Sequence, residues 1–430
     1  MSFDSLQLHE RISKAVADAG YEKPTPIQKR AIPTIMAKKD LIGIAQTGTG
    51  KTAAFVLPIL SHLCSESSTD DDRATRLLII APTRELVAQI NQNIRTYAKY
   101  TNLRTLTVTG GVGEAQQIAK LESNVDIVIA TPGRLQELMD RGYPRFGKVD
   151  YLVLDEADRM LDMGFLPSIE AIVKPLPNKR QTLLFSATLS KPIEKLAKTF
   201  LVKPTLLEIG DRTNPADTVT QFFYPVAKHL KTDLLERLLD DHAFFAVIVF
   251  VRTRAEADVV TKDLRGRKVD AEAIHGDKTQ QARVRALKWF KESKIRVLVA
   301  TDVAARGLDI QGVTHVINYD FPEQNEDYIH RIGRTGRAGS DGCAITFLTE
   351  RDGQKKLRLE KHIGRTLAHR YVDGFNYDVP APEQERPRRS KKEDPKAQRR
   401  VSKYSHANRQ ATHTKKFASK KSARRKPPGK

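Results

Sequence analysis

The chain has 430 residues, enough for two or three domains, and 40% of them are hydrophobic. No run of about 18 apolar residues occurs, which argues against membrane-spanning helices, and the opening MSFDSLQLHE is too acidic to read as a secretory leader. The formal charge is +21, and residues 381–430 alone hold 18 Lys and Arg against 4 Asp and Glu, so the pattern is a globular body with a basic tail that favours polyanions, nucleic acid before anionic membrane.

In chain order, short β-branched runs alternate with amphipathic stretches. DLIGIA, RLLIIAPT, RTLTVTG, DIVIATP, YLVLDEA and QTLLFSAT read as buried strands. Segments such as RELVAQINQNIRTYAKY between them read as helices. This βα alternation predicts an α/β fold with a parallel sheet and helices on both faces. The polar stretch EIGDRTNPAD interrupts it, and we expect a linker over 208–217. TVTQFFYPV, AVIVFV, AEAIHG, RVLVATD, HVINYD and AITFLT then predict a second α/β unit. The expected domains are 1–207 and 218–375, with a tail over 376–430 too poor in apolar residues to offset its chain entropy. No short repeat is visible, but two similar α/β units are compatible with a distant duplication. Cys64 and Cys343 match no metal spacing and read as two reduced thiols of a cytoplasmic protein.

Two motifs carry chemistry. AQTGTGKT, Ala45–Thr52, follows a strand and opens a helix, the context of a phosphate loop, although the strict pattern has glycine where Ala45 stands. The backbone N–H groups of Gly48, Thr49 and Gly50 would cradle phosphates at a helix N-terminus. Lys51 would reach the β- and γ-phosphates, and Thr52 would help hold Mg²⁺. YLVLDEAD, Tyr151–Asp158, sets carboxylates at the end of an apolar strand. Asp155 would hold Mg²⁺ through water and Glu156 would orient or deprotonate the attacking water. An acidic helix cap is the plain alternative for this pair, and a phosphate loop in the same domain weighs against it. Together the motifs predict an ATPase and do not name its work.

The ordered set AQTGTGKT, PTREL (Pro82–Leu86), TPGR (Thr131–Arg134), DEAD (Asp155–Asp158), SAT (Ser186–Thr188), ARGLDI (Ala305–Ile310) and HRIGRTGR (His330–Arg337) resembles the DEAD-box ATP-dependent RNA helicases over about residues 1–350. The short N-terminus and basic tail look most like the bacterial RhlE-type group. The resemblance implies two tandem RecA-like domains. It also implies an RNA-stimulated ATPase that needs ATP and Mg²⁺ and separates RNA duplexes locally and without processivity. GYEKPTPIQ, Gly20–Gln28, resembles the family's adenine-reading element. Gln28 would pair with the adenine edge through one donor and one acceptor, with Tyr21 beside it and Phe3 stacking on the base. Gln46 and Thr47 in the phosphate loop, and Gly307 and Asp309 in ARGLDI, would add ATP contacts. Ser186 and Thr188 would bond Asp158, which then couples sites instead of binding metal, and His330 would join that network. Arg334 and Arg337 would reach the γ-phosphate as arginine fingers, leaving Arg331 a structural role.

The expected RNA track is a backbone grip at strand ends, formed by Pro82, Thr83, Arg84, Gly110, Gly111, Thr131, Pro132, Gly133 and Arg134 in the first domain. Thr253, Thr301 and Arg283, the last in a QxxR element, continue it in the second. None of these offers a set of groups that reads base edges. Two other readings stay open at this point: a DNA-translocating helicase, and an RNA-annealing chaperone acting through the tail. The tail would bind RNA or an acidic protein, and ribosome assembly and RNA decay are the pathways that fit.

Overall fold

The computed structural model describes residues 2–45, 48–66, 73–123, 125–143, 146–209, 219–305, 312–336 and 342–381. Among them, seven strands build the first sheet: β1 (Leu41–Ile44), β2 (Leu77–Ile80), β3 (Thr105–Val108), β4 (Ile127–Ala130), β5 (Tyr151–Leu154), β6 (Gln181–Ser186) and β7 (Thr205–Glu208). Seven more build the second: β8 (Val219–Pro225), β9 (Val247–Phe250), β10 (Ala271–Ile274), β11 (Val297–Ala300), β12 (His315–Asn318), β13 (Gly342–Leu348) and β14 (Ala368–His369). The spatial orders are β3-β4-β2-β5-β6-β1-β7 and β10-β11-β9-β12-β13-β8-β14, the same order counted from each first strand. All of these pairings are parallel.

Parallel strands buried on both faces must be apolar on both faces, and their alternate residues feed two cores. In the first sheet Leu41, Leu77, Ile79, Val153 and Phe185 point to one side, against Phe55, Leu57, Ile90 and Ile94 of the helices Lys51–Ser65 and Arg84–Tyr97. Their neighbours Ile42, Leu78, Ile80, Leu152 and Leu184 point to the other, against Leu135, Leu138, Ile169 and Ile193. The second sheet repeats this, with Val247, Val249, Val297 and Val299 on one face and Ile248, Phe250, Leu298 and Ala300 on the other. The expected strands of both units therefore form, and so do the helices between them.

Two short strands escape the sequence pattern. Thr205–Glu208 pairs with β1, and Ile209 donates to Ile44 O, so the first unit extends through the start of the expected linker. Only Leu207 of that strand is buried, so it lacks the apolar run by which the others are read. Residues 210–217 of the linker lie outside the described residues. Ala368–His369 pairs with β8, and Tyr377 closes the second unit two residues past the expected boundary by accepting from Val372 N at 2.9 Å and packing on Phe375. No described helix is long and apolar enough to cross a membrane. Burial pushes the thiols of Cys64 and Cys343 up, the latter to about 11.

Candidate nucleotide and nucleic-acid sites

The phosphate loop leaves the end of β1 and turns into the helix Lys51–Ser65. Gly48 and Gly50 have φ of 84° and 91°, a left-handed region that costs other residues about 1–2 kcal/mol. At Gly50 a Cβ would also lie 2.6 Å from Gln28 Nε2, so a larger residue there would have to displace the Gln28 amide. Lys51 is buried, and its Nζ donates to Ala45 O at 2.8 Å. Thr52 is half-buried one residue into the helix. Gln46 and Thr47 fall outside the described residues.

Gln28 is buried as the third residue of the helix Pro26–Met36. Its Oε1 accepts from Thr25 N at 2.9 Å, a capping-box bond, and its Nε2 donates to Gly50 O at 3.2 Å. One amide hydrogen and one lone pair are left over, which is what an adenine edge requires. Phe3 lies edge-on to Tyr21 with centroids 5.9 Å apart, and Tyr21 lies edge-on to Tyr97 at the same separation.

The acidic turn follows β5. Asp155 is fully enclosed, and burial pushes its carboxyl up to about 6 against the opposing pull of the Lys51 ammonium. Glu156 sits at φ 53° and ψ 50° and donates its N–H to Asp155 Oδ1 at 3.0 Å. Glu156 Oε2 accepts from Arg159 Nη1 at 2.9 Å, and both side chains are buried. Asp158 works differently. Its Oδ2 accepts from Ala187 N and Thr188 N at 2.9 and 3.1 Å, and from the Thr188 hydroxyl at 3.5 Å. The expected Ser186 bond to Asp158 is replaced by one from Ser186 Oγ to Thr188 O at 2.8 Å, because the strand end curls back on itself.

The expected RNA-facing residues gather at the carboxyl ends of the strands. Thr83 caps the helix Arg84–Tyr97, accepting from Leu86 N at 3.3 Å, and the Arg84 guanidinium lies over Gly110 and Gly111. Thr131, Pro132, Gly133 and Arg134 begin the helix Pro132–Asp140, where Arg134 Nε meets Glu137 at 2.9 Å. In the second unit, Thr253 repeats the cap of Thr83, accepting from Glu256 N at 3.1 Å, and Thr301 is buried after β11. Arg283 pairs across the two units: its Nη2 meets Glu85 Oε2 at 2.8 Å, and Gln280 Nε2 donates to Glu85 Oε1 at 3.1 Å. On the helix Asn325–Ile332, Arg331 is buried and grips Asp302 with two bonds of 2.6 and 2.7 Å, with further bonds to Asn318 Oδ1 and Asp320 O. Half-buried His330 accepts through its carbonyl from Arg334 Nε at 3.4 Å, and Arg334 itself is buried. Gly307, Asp309 and Arg337 lie outside the described residues.

Two family models match, the DEAD/DEAH box helicase over residues 25–196 and the helicase conserved C-terminal domain over 230–339. An ATP-dependent RNA helicase CshA of Listeria monocytogenes is 48% identical over 350 residues, spanning 81% of this chain and 66% of its own length. The DEAD-box ATP-dependent RNA helicase CshA of Geobacillus kaustophilus is 44% identical over 366 residues, spanning 85% and 77%. The chain belongs to the DEAD-box ATP-dependent RNA helicases. It is thus an ATP-hydrolysing enzyme that acts on RNA. The solved structure of S. cerevisiae Dbp5 bound to RNA and ADP BeF3 matches with a TM-score of 0.75 and 31% identity over 86% of this chain and 95% of that one, which confirms two tandem RecA-like units. The expected RhlE-type grouping is not supported, since the relatives carry the CshA name instead.

Several residues of this helicase site carry no motif-level signal of their own. Glu85 lies inside PTREL, yet its tie to Arg283 is legible only once both units are folded. Arg159 follows the DEAD residues directly, and an i,i+3 spacing from Glu156 on a short helix is the signal that would have found it. Lys231 opens the helix Lys231–Leu239 after β8, and its Nζ meets Asp320 Oδ1 at 2.7 Å in a buried pair.

Proposed function

We propose that Lys51 and the N–H groups of Gly48, Thr49 and Gly50 hold the ATP phosphates, helped by Gln46 and Thr47. Phe3, Tyr21 and Gln28 hold the adenine, and Gly307 and Asp309 complete the nucleotide contacts from the second unit. Thr52 and Asp155 suit Mg²⁺. No described cluster of three or more acidic, His or Cys side chains is built to cage a metal, and Mg²⁺ prefers one or two carboxylates plus water and phosphate oxygens. Once bound, the ion would neutralise charge that develops on the phosphates. Glu156 is the base that takes a proton from the attacking water, and Arg334 and Arg337 stabilise charge on the γ-phosphoryl oxygens.

The observation that carries this reading is the buried Asp155–Glu156 corner within the field of the Lys51 ammonium. Asp158, tied to Thr188, passes the state of that corner to the strand end of β6. RNA is held along its backbone by Pro82, Thr83, Arg84, Gly110, Gly111, Thr131, Pro132, Gly133, Arg134, Thr253, Thr301 and Arg283. His330 belongs to the coupling network with Asp158, Ser186 and Thr188. ATP and RNA both favour the closed arrangement of the units, so each raises the affinity of the other, and closure parts a short duplex without travel along it. Dbp5 bound to RNA together with ADP BeF3 supports that joint occupancy. The chain works in the cytoplasm on ribonucleoprotein remodelling, in ribosome assembly or RNA decay, and its tail adds non-specific RNA affinity.

Glu156→Gln tests the assignment of the base. It keeps an acceptor for Arg159 and so avoids leaving a buried, unpaired guanidinium. We expect ATP affinity within about threefold of wild type and RNA-stimulated turnover lowered by at least ~10². Full turnover would reject Glu156 as the base.

A further inference from the structure

The adenine-reading residues are not anchored only to each other. Tyr21, 37% exposed, shares a 2.7 Å hydroxyl–hydroxyl bond with Tyr97, whose ring is buried. Tyr97 is the last residue of the helix Arg84–Tyr97, whose first turn carries Arg84 over Gly110 and Gly111 and Glu85 on Arg283. Fourteen helical residues make a rod of about 21 Å. A second tether lies just beyond it. Asp18, closing the helix Glu10–Asp18, accepts from Lys99 Nζ at 3.0 Å and from the Tyr100 hydroxyl, and Lys14 Nζ stands 4.5 Å over the Tyr100 ring. The Phe3–Tyr21 pair is therefore mounted on the far end of the helix that faces RNA.

We infer that Tyr97 is a positioning residue for adenine, setting the preference for ATP over GTP by fixing the angle of the Phe3–Tyr21 pair. This rests on the reading that Phe3, Tyr21 and Gln28 hold the base. Two edge-on contacts in series leave the Tyr21 ring one orientation, and the hydroxyl bond to a buried phenol removes its remaining rotation. Without that bond the Tyr21 hydroxyl, at the surface, turns to water. The ring then samples other tilts and offers a poorer platform to a flat base. Guanine offers two acceptors, O6 and N7, where adenine offers a donor and an acceptor, so the Gln28 lone pair is left unmet and guanine is not seated for the platform to align.

The test measures KM and kcat for ATP and for GTP at saturating polyuridylate RNA. Tyr97→Phe keeps the ring and its packing, and is expected to raise KM for ATP three- to tenfold, leave KM for GTP unchanged, and leave kcat within twofold. Tyr21→Phe should do the same, and the double variant should be no worse than either single one, the mark of one shared bond. An ATP-over-GTP preference unchanged in Tyr97→Phe would overturn the inference. Phe3→Ala separates the two levels. If Phe3→Ala lowers the preference and Tyr97→Phe does not, the positioning role fails alone. If Phe3→Ala also leaves it unchanged, the adenine reading itself fails. A loss of both nucleotides with a lowered Tm in Tyr97→Phe would mark a merely structural role and would also overturn it.

Discussion

Asp155 shows how a site residue is held at a cost to the fold. Its carboxyl, pushed up to about 6 by burial, retains in the native state a proton that the unfolded chain releases near pH 4. Stability therefore falls as pH rises from about 4 to 6, and the deficit stays constant above that. Asp155→Asn removes the charge and keeps the shape. In the nucleotide-free protein at pH 7.5 we expect its Tm to rise by roughly 2–5 °C. At pH 5 the native carboxyl is protonated but the unfolded one is not, so the gain should fall to about half, and it should vanish below about pH 4, where both states hold the proton. A gain that stays equal at both pH values, read by thermal unfolding, would show that Asp155 ionises normally. The same residue was legible in the sequence, because an apolar run ending in Asp-Glu after a phosphate loop has few other uses. What escaped was the left-handed backbone of Glu156, which leaves no mark in the residue string, and its Arg159 partner, whose i,i+3 spacing does not by itself tell a buried pair from an exposed one.

At the scale of elements, the helix Arg84–Tyr97 and the helix Gln280–Lys291 meet through Glu85 and Arg283. Arg283 was expected on the RNA track, and here it is first a partner of the opposite unit. Burial pulls its guanidinium pKa down while the Glu85 carboxylate opposes that pull, as for a charge that leaves water when the units meet. Glu85→Gln and Arg283→Met should each lower RNA-stimulated turnover about tenfold and leave the slow RNA-independent rate unchanged. The double variant should fall less than the product of the two, a coupling of about 1 kcal/mol or more. Additive losses in this cycle would mean that the pair does not act as one contact. The strands and helices themselves were readable because each buried strand is apolar on both faces. The edge strands Thr205–Glu208 and Ala368–His369 were not, because an edge buries too little to leave a pattern.

For the whole molecule, charge is divided between a body that carries the chemistry and a tail that carries a third or less of the acids one would need to balance its bases. Deleting residues 382–430 should weaken affinity for single-stranded RNA and flatten its dependence on salt, because fewer counterions are released on binding. ATP turnover at saturating RNA should stay within twofold. An unchanged slope of log affinity against log salt would assign the tail to another partner. The order of domains was visible in the sequence from the alternation alone. Their joining was not, since Glu85 and Gln280 are 195 residues apart and meet only through the fold.

The shared strand order of the two sheets gives the Lys231–Asp320 pair a meaning beyond its own packing. Lys231 opens the helix that follows β8, as Lys51 opens the one that follows β1. Asp320 lies just past β12, as Asp155 lies just past β5, and β12 and β5 hold the same place in their sheets. The second unit thus sets a lysine and an aspartate where the first sets Lys51 and Asp155, but closed on each other at 2.7 Å. One strand order places a lysine and an aspartate in each unit, and in the second they form a strut. On the proposed reading, the second unit answers a triphosphate held by the first and binds none of its own.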